Sequence, residues 1–216
     1  MYGGSLKKNK KNFLIIGGGG NLGSYIIKYK KKFNLSYPPK NKLNILKIKT
    51  ILGNINKDIN VIINCSGFAR VRACEENPKK AFEINATGVN NLVKAISISE
   101  KKFNTKILLI HISTDAVYES IHGNYREIDK CRPQNIYGKS KLMGEKYVKK
   151  LKNYLIIRTR FFSKEKIKYK DAAIDIYTSM IEVEKLVNKI FILSLSNFTG
   201  IINIGGQRKS DYQILR

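Results

Sequence analysis

The chain has 216 residues, 43% of them hydrophobic, enough for one generous globular domain or one domain with a small appendage, and too apolar for a disordered chain. Its formal net charge of +25 suggests anionic partners, but its 33 lysines outnumber its 8 arginines and lie scattered in clusters, so dedicated nucleic-acid binding is not expected. No apolar run reaches the roughly eighteen residues of a membrane span, and Phe13–Ile16 is too short for a signal core, which leaves a cytoplasmic protein with no membrane partner as the expectation.

In chain order, "NFLIIGGGGNLGSYIIKY" reads as strand, tight turn and helix. "NLSYPPKNK" reads as a loop marked by Pro38 and Pro39, and "KLNILKIKTILGNINKD" as a short strand with a weak helix. "INVIINCSG" is an uncharged, β-branched run and predicts a buried strand. "NPKKAFEINATGVNNLVKAISISEKK" predicts a long helix, with Pro78 near its start and Phe82, Val89, Leu92, Val93 and Ile96 at helical spacing. "TKILLIHIST" is another buried strand, "NIYGKSKLMGEKYVKKLK" a helix and "NYLIIRTRFF" a strand. "TSMIEVEKLVNKIFILSL" is a helix and "GIINIGG" a last strand. Strands apolar on both faces that alternate with helices predict an α/β fold, a Rossmann-type doubly wound parallel sheet. Cys65, Cys74 and Cys131 are odd in number and widely spaced, and His111 and His122 lack ligand-like neighbours, so neither disulfides nor a metal site is expected.

Gly17, Gly20 and Gly23 form G-x-x-G-x-x-G between the first strand and the first helix. A dinucleotide pyrophosphate needs a tight turn, close backbone approach and a free helix start, and glycines at these places meet all three needs. An NAD-preferring site often carries an acid about twenty residues further on, to hold the ribose hydroxyls. Here that region reads "KYKKKFNLSYPPKNKLNIL" with no acid, so the expected cofactor is NADP or NAD, with NADPH favoured.

Tyr137 and Lys141 stand four apart on a predicted helix and so share a face. A neighbouring ammonium favours the phenolate and lowers the tyrosine pKa, which suits proton transfer during carbonyl reduction. Upstream, "HISTD" puts Ser113 and Thr114 at the carboxyl end of a predicted strand, where ligands of open α/β sheets bind.

The ordered segments "IIGGGGNLG", "VIINCSGFARVRACEENPKKAFEINATGVNNLVKA", "LLIHISTDAVYES", "GNYREIDKCRPQNIYGKSKLMGEKYV", "YLIIRTRFF" and "TGIINIGG" resemble the extended short-chain dehydrogenase/reductases. Within them the chain looks most like the dTDP-4-dehydrorhamnose reductase branch. The resemblance implies hydride transfer from NAD(P)H to a 4-keto nucleotide sugar, as in dTDP-rhamnose biosynthesis. It implies Tyr137 as proton donor, Lys141 on the nicotinamide ribose and Thr114 as hydroxyl partner, with Ser113 as adjacent support and Asp115 near the sugar. It places Gly20, Asn21 and Leu22 at the pyrophosphate, Ser66, Gly67 and Phe68 along the cofactor, and Asn85 at the family's asparagine in "EINATG". Thr114-Asp115-Ala116 lacks the acidic pair of the related dehydratases. Relatives often dimerise, so a homodimer is the expectation for partners beyond the nucleotide sugar.

The chain departs from that pattern after "RTRFF", where only "SKEKIKYK" separates Phe162 from Asp171, and it has Arg160 and Phe161 where the family usually has serine and tryptophan. The stretch between Gly23 and Val61 is also short. The expected organisation is a dinucleotide-binding part over residues 1–162 and a reduced C-terminal substrate lobe over 163–216, which also supplies the final strand. Two other readings stand beside the reductase: a non-catalytic subunit that binds cofactor or protein, and another extended reductase or epimerase acting on a nucleotide sugar.

Overall fold

The apolar runs become the inner strands of one sheet. In the computed structural model, which describes residues 11–166 and 174–215, the order is β1 (Asn12–Ile16), α1 (Asn21–Ile27), β2 (Asn34–Ser36), α2 (Ile48–Leu52) and β3 (Ile59–Asn64). Then come α3 (Val71–Glu76), α4 (Pro78–Phe82), α5 (Gly88–Phe103), β4 (Leu108–Thr114), α6 (Ile136–Val148) and β5 (Tyr154–Thr159). The rest is β6 (Phe161–Phe162), β7 (Tyr177–Thr178), β8 (Ile181–Glu182), α7 (Val183–Leu195), β9 (Gly200–Ile204), β10 (Lys209–Ser210) and α8 (Asp211–Leu215). The start of the signal-like stretch and most of the lysine cluster after Phe162 lie outside the described residues. Among the described residues, no helix is long and apolar enough to cross a membrane.

Six strands pair in the order β2-β1-β3-β4-β5-β9, every neighbour parallel. Successive residues of a strand point to opposite faces, and both faces are covered here. Phe13, Ile15, Val61, Ile63, Ile110 and Ile157 pack with Leu22 and Ile26 of α1 and with Leu186, Val187 and Ile190 of α7. Leu14, Ile16, Ile62, Leu109 and Ile156 pack with Val89, Leu92, Val93 and Ile96 of α5. This is the expected doubly wound sheet.

Several elements differ from the sequence reading. The second strand is not in 42–58 but at Asn34–Ser36, inside the stretch read as a loop. It is a three-residue edge strand held on β1 partly by Asn34 Nδ2, which donates to Asn12 Oδ1 at 3.0 Å. Leu43 and Ile45 are buried, but their backbone turns instead of pairing. Asn44 N donates to Thr50 Oγ1 and Leu46 N to Asn44 Oδ1, both at 3.0 Å, so side chains take the polar groups a ladder would have used. The long helix is continuous in course but passes through a π-helical turn at Glu83–Thr87, and it ends at Asn104 in a left-handed conformation with φ 51°. The strand "NYLIIRTRFF" breaks at Arg160, where Phe161–Phe162 leave the main sheet to pair with β8. The helix foreseen from residue 178 begins at Val183, because Tyr177–Thr178 pair with β10 and Ile181 N donates to Arg160 O at 3.0 Å.

Candidate active site

The strand order reverses at β1: β2 lies on one side of it and β3 on the other. Ligands of open α/β sheets bind in the crevice beyond the carboxyl ends at such a point. Three loops meet there, after β1, β3 and β4.

After β1, Gly17 adopts φ +80°, and a Cβ there would stand 2.7 Å from Ser66 N, so only glycine fits. Its carbonyl accepts from Gly20 N at 2.9 Å, which closes the turn. Gly19, Gly20 and Asn21 are exposed, and a Cβ on Gly19 would meet nothing within 4 Å. An open run of backbone in a turn that only glycine permits is a cradle that fits a dinucleotide pyrophosphate. Leu22 and Gly23 also serve packing. The Leu22 side chain is buried in the core, and a Cβ on Gly23 would lie 2.7 Å from Gly18 Cα. Leu22 can therefore offer a ligand only its backbone, and Gly23 lets α1 start close against the turn.

After β3, Asn64 Oδ1 accepts from Ser66 N at 3.1 Å and from Ser66 Oγ at 2.6 Å. Its amide nitrogen lies 3.1 Å from His111 Nδ1. Burial, and then the Lys141 charge, hold His111 well below the ordinary imidazole value. Gly67 is exposed and Phe68 half-buried, so the loop lies open along the crevice. The resemblance counts Asn85 among the cofactor-side residues, and here its amide is taken up by the protein's own groups. Its Oδ1 accepts from Phe68 N at 2.8 Å, and its Nδ2 donates to Phe68 O and to Ser140 Oγ, each at 2.9 Å. It is 1% exposed, so it fastens the Ser66–Phe68 loop to α6 and does not face the crevice.

After β4, Thr114 caps a short 3-10 turn at Asp115–Val117, its Oγ1 accepting from Ala116 N at 3.2 Å. On α6, Asn135 Oδ1 accepts from Gly138 N at 2.8 Å and fixes the helix start just before Tyr137. Burial pushes the Tyr137 phenol above its ordinary value, and a hydrogen bond with the Thr114 side chain works the other way. The expected lowering by Lys141 is not found. The Lys141 ammonium donates to Ile112 O at 2.6 Å, and burial brings its own pKa down from 10.5 to about 8. Thr114, Tyr137 and Lys141 thus converge at the end of β4, with Lys141 docked on the strand rather than on the phenol.

Ser113 does not join them. It is the strand neighbour of Thr114 and points the other way, its Oγ donating to buried Glu145 Oε1 at 2.6 Å. Asp115 does face outward, and its carboxylate pairs with Arg160 Nε at 3.1 Å. It lines a cavity of about 540 Å³ together with Tyr118, Tyr125, Arg158, Arg160, Tyr177, Asn203 and Arg208. Tyr118 and Tyr125 stack at 4.7 Å, and the Arg208 guanidinium sits 4.1 Å over the Tyr177 ring. The cavity lies beside Thr114 and Tyr137, and Asp115 links the two.

The sequence reading missed Glu145, Arg158 and Tyr118. Glu145 follows Lys141 by four residues on the same helical face, and Arg158 is a charge inside an apolar strand, so both left a signal.

The family model described as the RmlD substrate binding domain matches residues 11–183. A dTDP-4-dehydrorhamnose reductase from Mycolicibacterium smegmatis is 39% identical over 90 residues, 41% of this chain and 26% of that protein. Methionine adenosyltransferase 2 subunit beta from Bos taurus is 38% identical over 89 residues, 41% of this chain and 25% of that protein. The matched stretch thus spans about a quarter of each curated relative. The crystal structure of a hypothetical dTDP-4-dehydrorhamnose reductase from Sulfolobus tokodaii superposes with a TM-score of 0.80 at 31% identity, covering 94% of this chain and 80% of that one.

Proposed function

We propose that this chain, which belongs to the RmlD substrate binding domain family, is an NAD(P)H-dependent oxidoreductase of the extended short-chain dehydrogenase/reductase type that reduces the keto group of a 4-keto nucleotide sugar. The observation that carries the reading is the convergence of Thr114, Tyr137 and Lys141 at the carboxyl end of β4, beside the glycine turn after β1. The reductase similarity adds the substrate class.

On this reading Gly17, Gly20 and Asn21 offer backbone to the pyrophosphate, and Ser66, Gly67 and Phe68 run beside the rest of the dinucleotide. When bound, the reduced nicotinamide supplies a hydride to the carbonyl carbon. Tyr137 gives its phenolic proton to the carbonyl oxygen. Its raised pKa keeps the phenol protonated at neutral pH, which is the form a reduction needs. Thr114 Oγ1 orients that oxygen, and Lys141 adds positive charge beneath the pair and reaches the ribose. Thr114-Asp115-Ala116 has no second acid to start an elimination, which favours reduction over dehydration. The sugar nucleotide takes the cavity beside Asp115, where Arg160 and Arg208 suit its diphosphate. Residues 1–162 then serve the dinucleotide and also supply Asp115, Tyr118, Tyr125, Arg158 and Arg160 to the sugar side, which residues of 163–216 complete while they return β9 to the sheet.

NADPH is the favoured cofactor. β2 ends at Ser36, and the segment from Lys28 to Lys40 contains no acid to hold a ribose 2′-hydroxyl and many lysines to meet a 2′-phosphate.

A second reading draws on the similarity to methionine adenosyltransferase 2 subunit beta, a protein named as a subunit of another enzyme. There the chain would keep dinucleotide binding and serve as a partner. One experiment separates the two: NADPH and NADH oxidation with a dTDP-4-keto-6-deoxy sugar, run beside Tyr137→Phe. Turnover that the variant loses supports the reductase; dinucleotide binding without turnover supports the subunit. A clear preference for NADH would sink the NADPH assignment.

A further inference from the structure

Glu145 is fully buried, and Arg158 is only 2% exposed in its side chain. A buried carboxylate persists only where donors surround it. Ser113 Oγ meets Glu145 at 2.6 Å, and Arg158 meets it through Nε at 3.1 Å and Nη2 at 2.7 Å. The same guanidinium reaches on through Nη1, donating to Tyr118 Oη at 2.7 Å and to Glu127 O at 3.3 Å. Tyr118 Oη in turn donates to Asn203 Oδ1 at 3.0 Å. Tyr118, Arg158 and Asn203 line the cavity beside Asp115. One buried ion pair therefore joins the helix that carries Tyr137 and Lys141 to the wall of the cavity.

Tyr137, Lys141 and Glu145 recur every fourth residue and share one face of α6. The titratable and polar groups nearest Lys141 come from β4, β5, α6 and the residue that follows β3. Cys65 follows β3, and burial pushes its thiol up to about 12, so it stays neutral. His111 on β4 is held neutral as well, and Ile112 of the same strand offers only a carbonyl. On α6 itself, Tyr137 keeps its proton, and Glu145 supplies the negative charge. Arg158 on β5 is engaged by Glu145.

We propose that Glu145 is a positioning residue for the Tyr137–Lys141 pair: locked by Arg158 and Ser113, its carboxylate keeps the Lys141 ammonium ionised while the same network fixes α6 on β4. The inference rests on Tyr137 and Lys141 being the reacting pair. A neutral amide offers Arg158 one acceptor where the carboxylate offers two, so Glu145→Asp, which keeps the charge, is the control that isolates it.

The test is the titration of Lys141 in the full chain with ¹³C-labelled lysine, its resonance assigned by its loss in Lys141→Arg. Glu145→Gln is expected to move the Lys141 midpoint down by about one unit, because an opposite charge is removed. Glu145→Asp keeps the charge, so it is expected to hold the midpoint while losing thermal stability. An unchanged midpoint in Glu145→Gln overturns the proposal. Where Glu145→Gln does not fold, Ser113→Ala carries the test, since it removes a donor that offsets part of the carboxylate's charge: a small upward shift supports the proposal, and an unchanged or lowered midpoint overturns it. In an active chain Glu145→Gln is expected to lower kcat about tenfold with KM little changed. The titration needs no turnover. A chain that shows the shift but reduces no keto sugar defeats the reductase reading alone, and a turning-over chain without the shift defeats this inference alone.

Discussion

The Lys141 ammonium lies 2.6 Å from the carbonyl oxygen of Ile112, two residues before Thr114 on the same strand. The lysine thus braces the strand end that presents Thr114, and burial draws its pKa from 10.5 to about 8. Because the folded value lies below the unfolded one, the unfolded chain binds more protons between those limits, and stability rises with pH through that window. Below about pH 8 the net cost of keeping the ammonium buried is present in full, on the order of 3 kcal/mol. Lys141→Met is therefore expected to be inactive yet at least as stable as the native chain at pH 7. Its advantage should shrink as pH rises from 8 to 10.5. Thermal melts of both proteins across that range check the sign; a widening gap would refute it.

The Tyr137 phenol is raised by burial, so it stays protonated through neutral pH. Tyr137→Phe removes the proton donor and leaves the ring to fill its place. The expected loss in kcat is about 10²–10⁴-fold, with dinucleotide affinity nearly unchanged. Fluorescence titration with NADPH beside steady-state turnover measures both. Equal losses in binding and turnover would mean that the residue holds the ligand and does not transfer the proton.

Gly17 and Gly19 sit in the same turn and predict opposite outcomes. Alanine at Gly17 must accept φ +80° and bring its Cβ within 2.7 Å of Ser66 N, where backbone cannot yield cheaply. Gly17→Ala is expected to cost about 2–3 kcal/mol and to lose most dinucleotide binding. Gly19→Ala meets nothing within 4 Å, so it should fold as the native chain does. Melting temperatures of the two variants test the contrast, and similar values would refute it.

The central strands were legible because they are buried on both faces: "INVIIN" and "LLIHIST" carry no alternation that solvent would impose. Asn34–Ser36 was not legible. It is three residues long, polar and at an edge, and its pairing depends on β1 rather than on its own composition. Leu43 and Ile45 misled in the other direction, since buried side chains mark the core and say nothing of whether the backbone pairs. In the site, the glycine turn and the Tyr137–Lys141 spacing could be read because local geometry sets them. Ser113 could not, because one step along β4 turns its hydroxyl to Glu145. The partnership of Glu145 with Arg158 spans two elements, and only the folded chain brings those residues together.

Asn85 offers the sharpest distinction between a ligand contact and a structural clamp. Its amide makes three hydrogen bonds of 2.8–2.9 Å, two of them to the backbone of Phe68. Asn85→Ala leaves those buried groups short of partners and should cost about 3 kcal/mol. Asn85→Asp keeps an acceptor for Phe68 N but sets a second carboxylate oxygen against Phe68 O, where the native chain has a donor. It is therefore expected to be no better than alanine at neutral pH and to recover partly on acidification, as a protonated acid regains a donor. A clamp predicts that both variants melt lower and bind the dinucleotide more weakly, and that saturating dinucleotide restores part of the lost melting temperature. A direct contact predicts weaker binding at an unchanged melting temperature. Melts with and without NADPH decide between them, and the second pattern would return Asn85 to the crevice.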